Sequence, residues 1–167
     1  MLTRAIAAVV ITLTAWSPGA ARAQQPLART TLRASGGYAL FVDDLLIPHG
    51  VVGVGAEWVA TPRVAVGPEL IYMVGPGSDR ELFVLGVVRV GIRPFSARVA
   101  PFLVAGGGLM RHTARFGGRA FSATEGAYVA GGGVRLAVTP RVTVAPEVTI
   151  GWEAHLRASV GVGLRLR

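Results

Sequence analysis

From Thr30 to the end of the chain, apolar residues recur at every second position, a spacing that a helix cannot use. The clearest segment runs from Arg141 to Glu153. Val142, Val144, Pro146, Val148, Ile150 and Trp152 share one parity, and Arg141, Thr143, Ala145, Glu147, Thr149, Gly151 and Glu153 share the other. Successive side chains of a strand point to opposite faces, so a strand separates these two sets fully, whereas a 3.6-residue period mixes them. Leu156, Ala158, Val160, Val162, Leu164 and Leu166 oppose a second face of His155, Arg157, Ser159, Gly161, Gly163 and Arg165 in the same way. Segments around Val52–Trp58 and Tyr128–Leu136 repeat the pattern.

Eight such segments fit the chain, near 30–42, 50–60, 63–74, 81–93, 98–110, 126–138, 141–153 and 156–166. Each reaches the roughly 9–11 residues that a tilted strand needs to cross a hydrocarbon layer. Near-identical turns, Thr61-Pro62-Arg63-Val64 and Thr139-Pro140-Arg141-Val142, join two pairs of them. The likeness extends through TPRVAVGPEL at 61–70 and TPRVTVAPEV at 139–148, which points to a reiterated hairpin. The segments 43–49, 75–80 and 111–125 read as longer connections at the opposite end. Pro68, Pro101 and Pro146 fall inside strands soon after a short turn, where a missing ladder donor is tolerated near a rim. Tyr38, Tyr72, Tyr128 and Trp152 fall on the apolar parity away from the short turns, and Trp58 near one of them. Amphipathic rings at two heights match the girdles of a membrane–water boundary.

Composition removes several chemistries. The 167 residues suffice for one domain, 51% are hydrophobic, and 23 are glycine. There is no cysteine, hence no disulfide, thiolate metal site or thiol nucleophile. The net charge of +8 comes from arginine without any lysine, which excludes a phosphate-loop lysine or a Schiff base. The arginines stand singly between apolar neighbours, as in Val88-Arg89-Val90, rather than in the clusters of a nucleic-acid face. No nucleic-acid partner is expected.

The first residues form a separate unit. Met1-Leu2-Thr3-Arg4 is a basic start, Ala5–Ala15 is apolar, and Ala21-Arg22-Ala23 supplies an A-x-A cleavage pattern. This is the layout of a secretory signal over residues 1–23, with an apolar run too short to span a bilayer. Export, cleavage after Ala23 and a mature barrel over 24–167 are expected.

On these features the chain resembles the small eight-stranded outer-membrane β-barrels of the OmpA and OmpX type. The resemblance rests on the leader, the eight alternating segments, the TPRV turns and Gly-rich strands such as Ala105-Gly106-Gly107-Gly108 and Gly131-Gly132-Gly133. It implies an all-β, antiparallel up-and-down transmembrane barrel in the bacterial outer membrane. Lipid, lipopolysaccharide and the barrel-insertion machinery would be its partners. That family usually closes on an aromatic residue, whereas Leu164-Arg165-Leu166-Arg167 stands here. A monomer with no cofactor and a structural or surface-interaction role is the expectation. A narrow channel, a small lipid-modifying enzyme and a lipocalin-like periplasmic binder are the alternatives.

Two groups of residues are the candidate sites. Inward parity collects Arg33, Glu57, Glu69, Arg89, Arg135, Glu147, Glu153, Arg157 and Arg165 in a lumen just wide enough for side chains to fill. Charges in such a space must pair, so a lumen charge network of Arg33, Glu57, Glu69, Arg89, Arg135, Glu147 and Arg165 is predicted. Arg135 and Glu147 are expected as diagonal neighbours, with Arg33 and Arg89 serving Glu57 and Glu69. The second group, Arg111, His112, Arg115 and Arg119 beside Phe116 and Phe121, reads as a surface-binding loop for anionic groups. His49, His112 and His155 lack metal-type spacing, so no metal is expected. No Ser–His pair meets the requirements of a nucleophile and its base: His155 and Ser159 lie about 13 Å apart at strand rise, leaving only His112 and Ser122 of the 111–125 segment. An enzyme is not expected.

Overall fold

The computed structural model describes residues 30–42, 46–117 and 119–166. The expected leader and its cleavage point lie outside the described residues. Eight strands follow one another: β1 (Thr30–Val42), β2 (Leu46–Thr61), β3 (Val64–Val74), β4 (Arg80–Gly91), β5 (Val99–Phe116), β6 (Arg119–Ala137), β7 (Val142–Gly151) and β8 (His155–Arg165). Each pairs antiparallel with the next, and β1 pairs with β8 from Thr31↔Arg165 to Phe41↔His155, which closes the barrel. Closure gives every strand two neighbours and removes the unpaired edge that an open sheet would present.

The two TPRV turns are built alike. Thr61 Oγ1 accepts from the amides of Arg63 and Val64 at 3.3 and 3.0 Å, and Thr139 Oγ1 accepts from Arg141 and Val142 at 3.2 and 2.9 Å. The hydroxyl supplies locally the acceptor that the tight turn denies these amides. The prolines that follow leave matching marks. The β2–β3 register passes from Gly55↔Glu69 to Trp58↔Val66, and the β6–β7 register from Gly133↔Glu147 to Leu136↔Val144, skipping Pro68 and Pro146. Each proline stays in register on its other side, at Pro68↔Gly86 and Pro146↔Val160. The missing donor therefore interrupts one ladder and spares the other. At Gly67 the strands are so close that a Cβ would collide with the Ala56 carbonyl oxygen.

Parity decides burial. Val52, Val54, Leu103, Val148, Val160 and Val162 point outward and are half exposed or more, while Val51, Ile71, Met73, Phe83, Leu85, Phe102, Val104 and Met110 fill the interior. A lipocalin-like barrel would keep its apolar face inward only; here an apolar belt surrounds the wall. Tyr38, Tyr72, Tyr128 and Trp152 sit on the outer face towards one end, with the Tyr128 and Trp152 rings edge-to-face at 5.8 Å, and Trp58 lies towards the other. At the short-turn end, Phe95 folds from the β4–β5 connection into the bore and packs on Phe102, its ring centroid 6.5 Å away.

Three boundaries differ from the sequence reading. β2 begins at Leu46, paired with Val42, so most of the expected 43–49 connection is strand. The 111–125 segment is no loop either: β5 and β6 stay paired up to Phe116↔Arg119, forming a long hairpin that turns at Gly117 with φ +57°. Its polarity suggested a loop, but a strand beyond the apolar belt no longer needs an apolar face, and each half finds its ladder in the other. β7 stops at Gly151, because Glu153 and Ala154 adopt φ of 56° and 41° in a tight turn.

The belt has a direct energetic signature. Val54, outward and paired with Ala34 and Leu70, lies between the aromatic heights; Leu46 lies at the far end of β2. Val54→Arg should cost about 2–4 kcal/mol of folding free energy in lipid vesicles and Leu46→Arg about 0–1, because the penalty for a charge falls towards the interface. Denaturant titration measures both, and equal, small costs would contradict a lipid-facing belt.

Candidate functional site

Alternation on seven of the eight strands delivers a charged residue to one stretch of the interior: Arg33 on β1, Glu57 on β2, Glu69 on β3, Arg89 on β4, Arg135 on β6, Glu147 on β7 and Arg157 on β8. β5 passes this region with Phe102 and Val104 instead. Arg135 Nη2 donates to both oxygens of Glu57 at 2.6 and 2.7 Å, and its guanidinium lies 4.2 Å from the centre of the Phe95 ring. Arg89 donates through Nη2 to Glu69 at 2.8 Å and through Nε and Nη2 to Glu147 at 3.2 Å, while Nη1 stands 3.8 Å from Glu57. Arg157 donates to Thr149 Oγ1 at 3.1 Å and to Glu147 at 3.3 Å. Arg33 approaches Glu147 at 3.5 Å and Glu57 at 3.8 Å. A Cβ on Gly161 would stand 2.9 Å from Arg33 Nη2, so glycine leaves the space that this guanidinium fills.

A charge in this bore is removed from bulk water, and breaking one buried pair typically costs about 3–5 kcal/mol because the remaining partner is stranded. Planar arginines suit the place: each offers donors to two acceptors at once and keeps its charge. The packing is close. Beside Arg33, Glu69 and Arg89 the interior leaves a cavity of ≈ 10 Å³, about the space of one water.

Six of the seven residues expected in this network lie in the cluster, and Arg165 does not. It stands one inward position beyond Arg33, at the level of Thr31, where Nη1 donates to the Pro140 carbonyl at 3.4 Å near the rim. Arg157 takes part, and Glu153 lies instead in the turn at the opposite end. Arg33 and Arg89 meet Glu57 and Glu69 as expected, at 3.8 and 2.8 Å, but one pairing differs: Arg135 reaches across the bore to Glu57 rather than diagonally to Glu147, which Arg89 holds instead. Local hairpin register cannot foresee this, because the shortest path between opposite strands runs through the lumen.

The Arg111, His112, Arg115 and Arg119 group is divided by the hairpin. Arg111 and Arg115 are exposed on the outward parity, opposite Thr124 and Ala120, whereas His112 and Arg119 share the other face with Phe121. Ser78 pins the β3–β4 turn to this hairpin, its Oγ accepting from the Arg115 amide at 2.8 Å and donating to the Arg115 carbonyl at 3.2 Å. His112 and Ser122 lie on opposite faces, since Ser122 pairs with Thr113. The end that carries the long hairpin also holds a cavity of ≈ 520 Å³ bordered by Phe41, His49, Asp79, Glu81, His112 and Glu153. Sequence reasoning missed this grouping, whose only signal was a shared inward parity at strand ends.

Comparison with known proteins places the architecture. No family model and no curated protein sequence matches the chain. Neisserial surface protein A superposes with a TM-score of 0.74 at 15% identity, covering 85% of this chain and 100% of that one. The N-terminal β-barrel domain of Pseudomonas aeruginosa OprF gives 0.62 at 10% identity, covering 83% and 99%. The attachment invasion locus protein Ail of Yersinia pestis, solved with the heparin analogue sucrose octasulfate, gives 0.60 at 11% identity, covering 84% and 99%. With a closed antiparallel wall of eight strands, an apolar exterior and a filled bore, the chain has the fold of the small eight-stranded outer-membrane β-barrels.

Proposed function

We propose that the protein is a monomeric, non-enzymatic barrel of the bacterial outer membrane that does not conduct and that presents its long hairpin to the cell exterior. The charged layer carries this reading. Four arginines and three glutamates from seven strands cross-link the bore, and the cavity beside Arg33, Glu69 and Arg89 is about one water in size. Phe95 and Phe102 lie on the side of the short turns, and Phe83, Ile71 and Met73 on the other. An ion on this path would have to part the salt bridges and cross two apolar layers. Recordings in planar bilayers should show no sustained opening of the wild type. Glu147→Ala, which leaves Arg33, Arg89 and Arg157 short of a partner, should produce flickering conductance. A large, continuously open wild-type conductance would make the protein a channel instead.

The surface role rests on the β5–β6 hairpin, which continues beyond the aromatic level with Arg111 and Arg115 on its outward face. Guanidinium groups there suit phosphate or sulfate through charge-assisted hydrogen bonds, and lipopolysaccharide is the anionic surface nearest to them. The Ail structure holds a polysulfated ligand, which accords with an anion-binding role for barrels of this shape. Arg111→Ala combined with Arg115→Ala should weaken retention of purified lipopolysaccharide by the reconstituted barrel, most clearly at low salt, where such contacts are least screened. Unchanged retention would leave the hairpin without this role.

A further inference from the structure

The outer cavity gathers two histidines and two acids from separate stretches of chain. His49 comes from β2, Asp79 from the turn before β4, Glu81 from the start of β4, and His112 from β5 directly opposite Glu81. His49 Nε2 lies 3.0 Å from Asp79 Oδ2, and His112 Nδ1 lies 3.5 Å from Glu81 Oε1 and 3.6 Å from Asp79 Oδ1. Ligand atoms of His49, Asp79 and Glu81 all fall within 4.8 Å of one another.

We propose that His49, His112, Asp79 and Glu81 form a site for a divalent transition-metal cation, of which zinc is the type, at the outer mouth of the barrel. Four ligands arranged tetrahedrally on zinc, with bonds of about 2.0–2.1 Å, stand about 3.4 Å apart. His49, Asp79 and Glu81 already hold their ligand atoms within 4.8 Å of one another, with His49 and Asp79 at 3.0 Å, and His112, 3.5 Å from Glu81 and 3.6 Å from the second Asp79 oxygen, would turn onto the ion as the fourth ligand. Two imidazoles with two carboxylates favour a borderline cation over magnesium or calcium, which prefer oxygen alone. The two carboxylates also neutralise a doubly charged ion.

Two further observations point to a ligand. Glu81 is 3% exposed, yet its Oε2 is buried without a hydrogen-bond partner, and Asp79 Oδ1 is likewise unpartnered. Both nitrogens of His49 face acceptors, Nδ1 the Ile47 carbonyl at 3.2 Å and Nε2 the Asp79 carboxylate. The ring satisfies both as an imidazolium, or as a neutral imidazole that donates from Nδ1 and ligates a cation through Nε2. A backbone carbonyl holding the far nitrogen is how metal-binding histidines are commonly oriented. The cavity of ≈ 520 Å³ gives the ion a path of entry. Once bound, the ion ties β2, β4 and β5 together above the apolar layer, independently of whether the bore conducts.

The test is zinc titration of the refolded, chelator-stripped full chain in detergent, followed by calorimetry and by thermal unfolding. One zinc per chain and a higher unfolding temperature are expected, since an ion that binds only the folded state stabilises it. His49→Ala and Glu81→Gln should each weaken zinc by at least about tenfold, in line with the sensitivity of metal sites to their surroundings. His112→Ala, at a partly exposed position, serves where a buried variant does not fold, with β-signature circular dichroism as the check. His155→Gln is the control: that ring lies at the same end of the barrel, against Phe41 and Phe83, outside the ligand set, and its loss should leave binding intact. No zinc uptake by the folded wild type, equal uptake by the folded ligand variants, or equal loss in His155→Gln would each overturn the site.

Discussion

The guanidinium of Arg89 lies within 4 Å of three carboxylates, those of Glu57, Glu69 and Glu147, which come from three different strands. Much of the barrel follows from that arrangement. An eight-stranded wall encloses a bore that side chains fill, and a charge placed there must find its counter-charge inside. Because each carboxylate is shared by two or more arginines, the layer behaves as one network, and the strands that bear it are held at the heights where its members meet. The outer wall does the opposite, presenting Val54, Leu103, Val148 and their neighbours, with closure giving each strand a partner on both sides, as a lipid environment requires.

The internal repeat shows how such a layer is assembled. Glu57 and Arg135 each stand five residues before the proline of a TPRV turn, and Glu69 and Glu147 each stand seven after it. The two hairpins, β2–β3 and β6–β7, are four strands apart in an eight-stranded ring, which sets them on opposite sides of the bore. A reiterated hairpin with the same acid at both positions would face like with like. Arginine in one copy where the other has glutamate turns that opposition into the Arg135–Glu57 pair, the shortest contact of the layer at 2.6 Å. The arginines of β1, β4 and β8 then bind the remaining acids.

Much of this was legible in the residues, and what was not has a physical cause. Strand number, the facing of each strand and the identity of most lumen charges are encoded locally, because parity is a property of consecutive residues. Partners across the bore are not local: Arg135 finds Glu57 through closure and strand tilt, neither of which a hairpin alone determines. The 111–125 segment misled by its polarity, since the ladder that holds it as strand is made by its own return half. His49, Asp79 and Glu81, with His112 beside them, were invisible to a spacing test, which detects ligands on one helix or loop and not residues that gather where separate strands end.

Arginines locked in the lumen network would be shielded from water, and their side-chain N–H protons would report it directly. Arg89 Nε is bonded to Glu147 and Arg157 Nε to Thr149, whereas Arg63 stands exposed at a turn. Nitrogen-resolved NMR of the barrel in lipid nanodiscs, with solvent-exchange rates measured at each arginine Nε–H, separates the two situations. Dispersed, slowly exchanging resonances are expected for Arg89 and Arg157, and rapid exchange for Arg63. Arg89 and Arg157 exchanging as fast as Arg63, at the shifts of hydrated guanidinium, would mean that water fills the bore and that the network does not hold it.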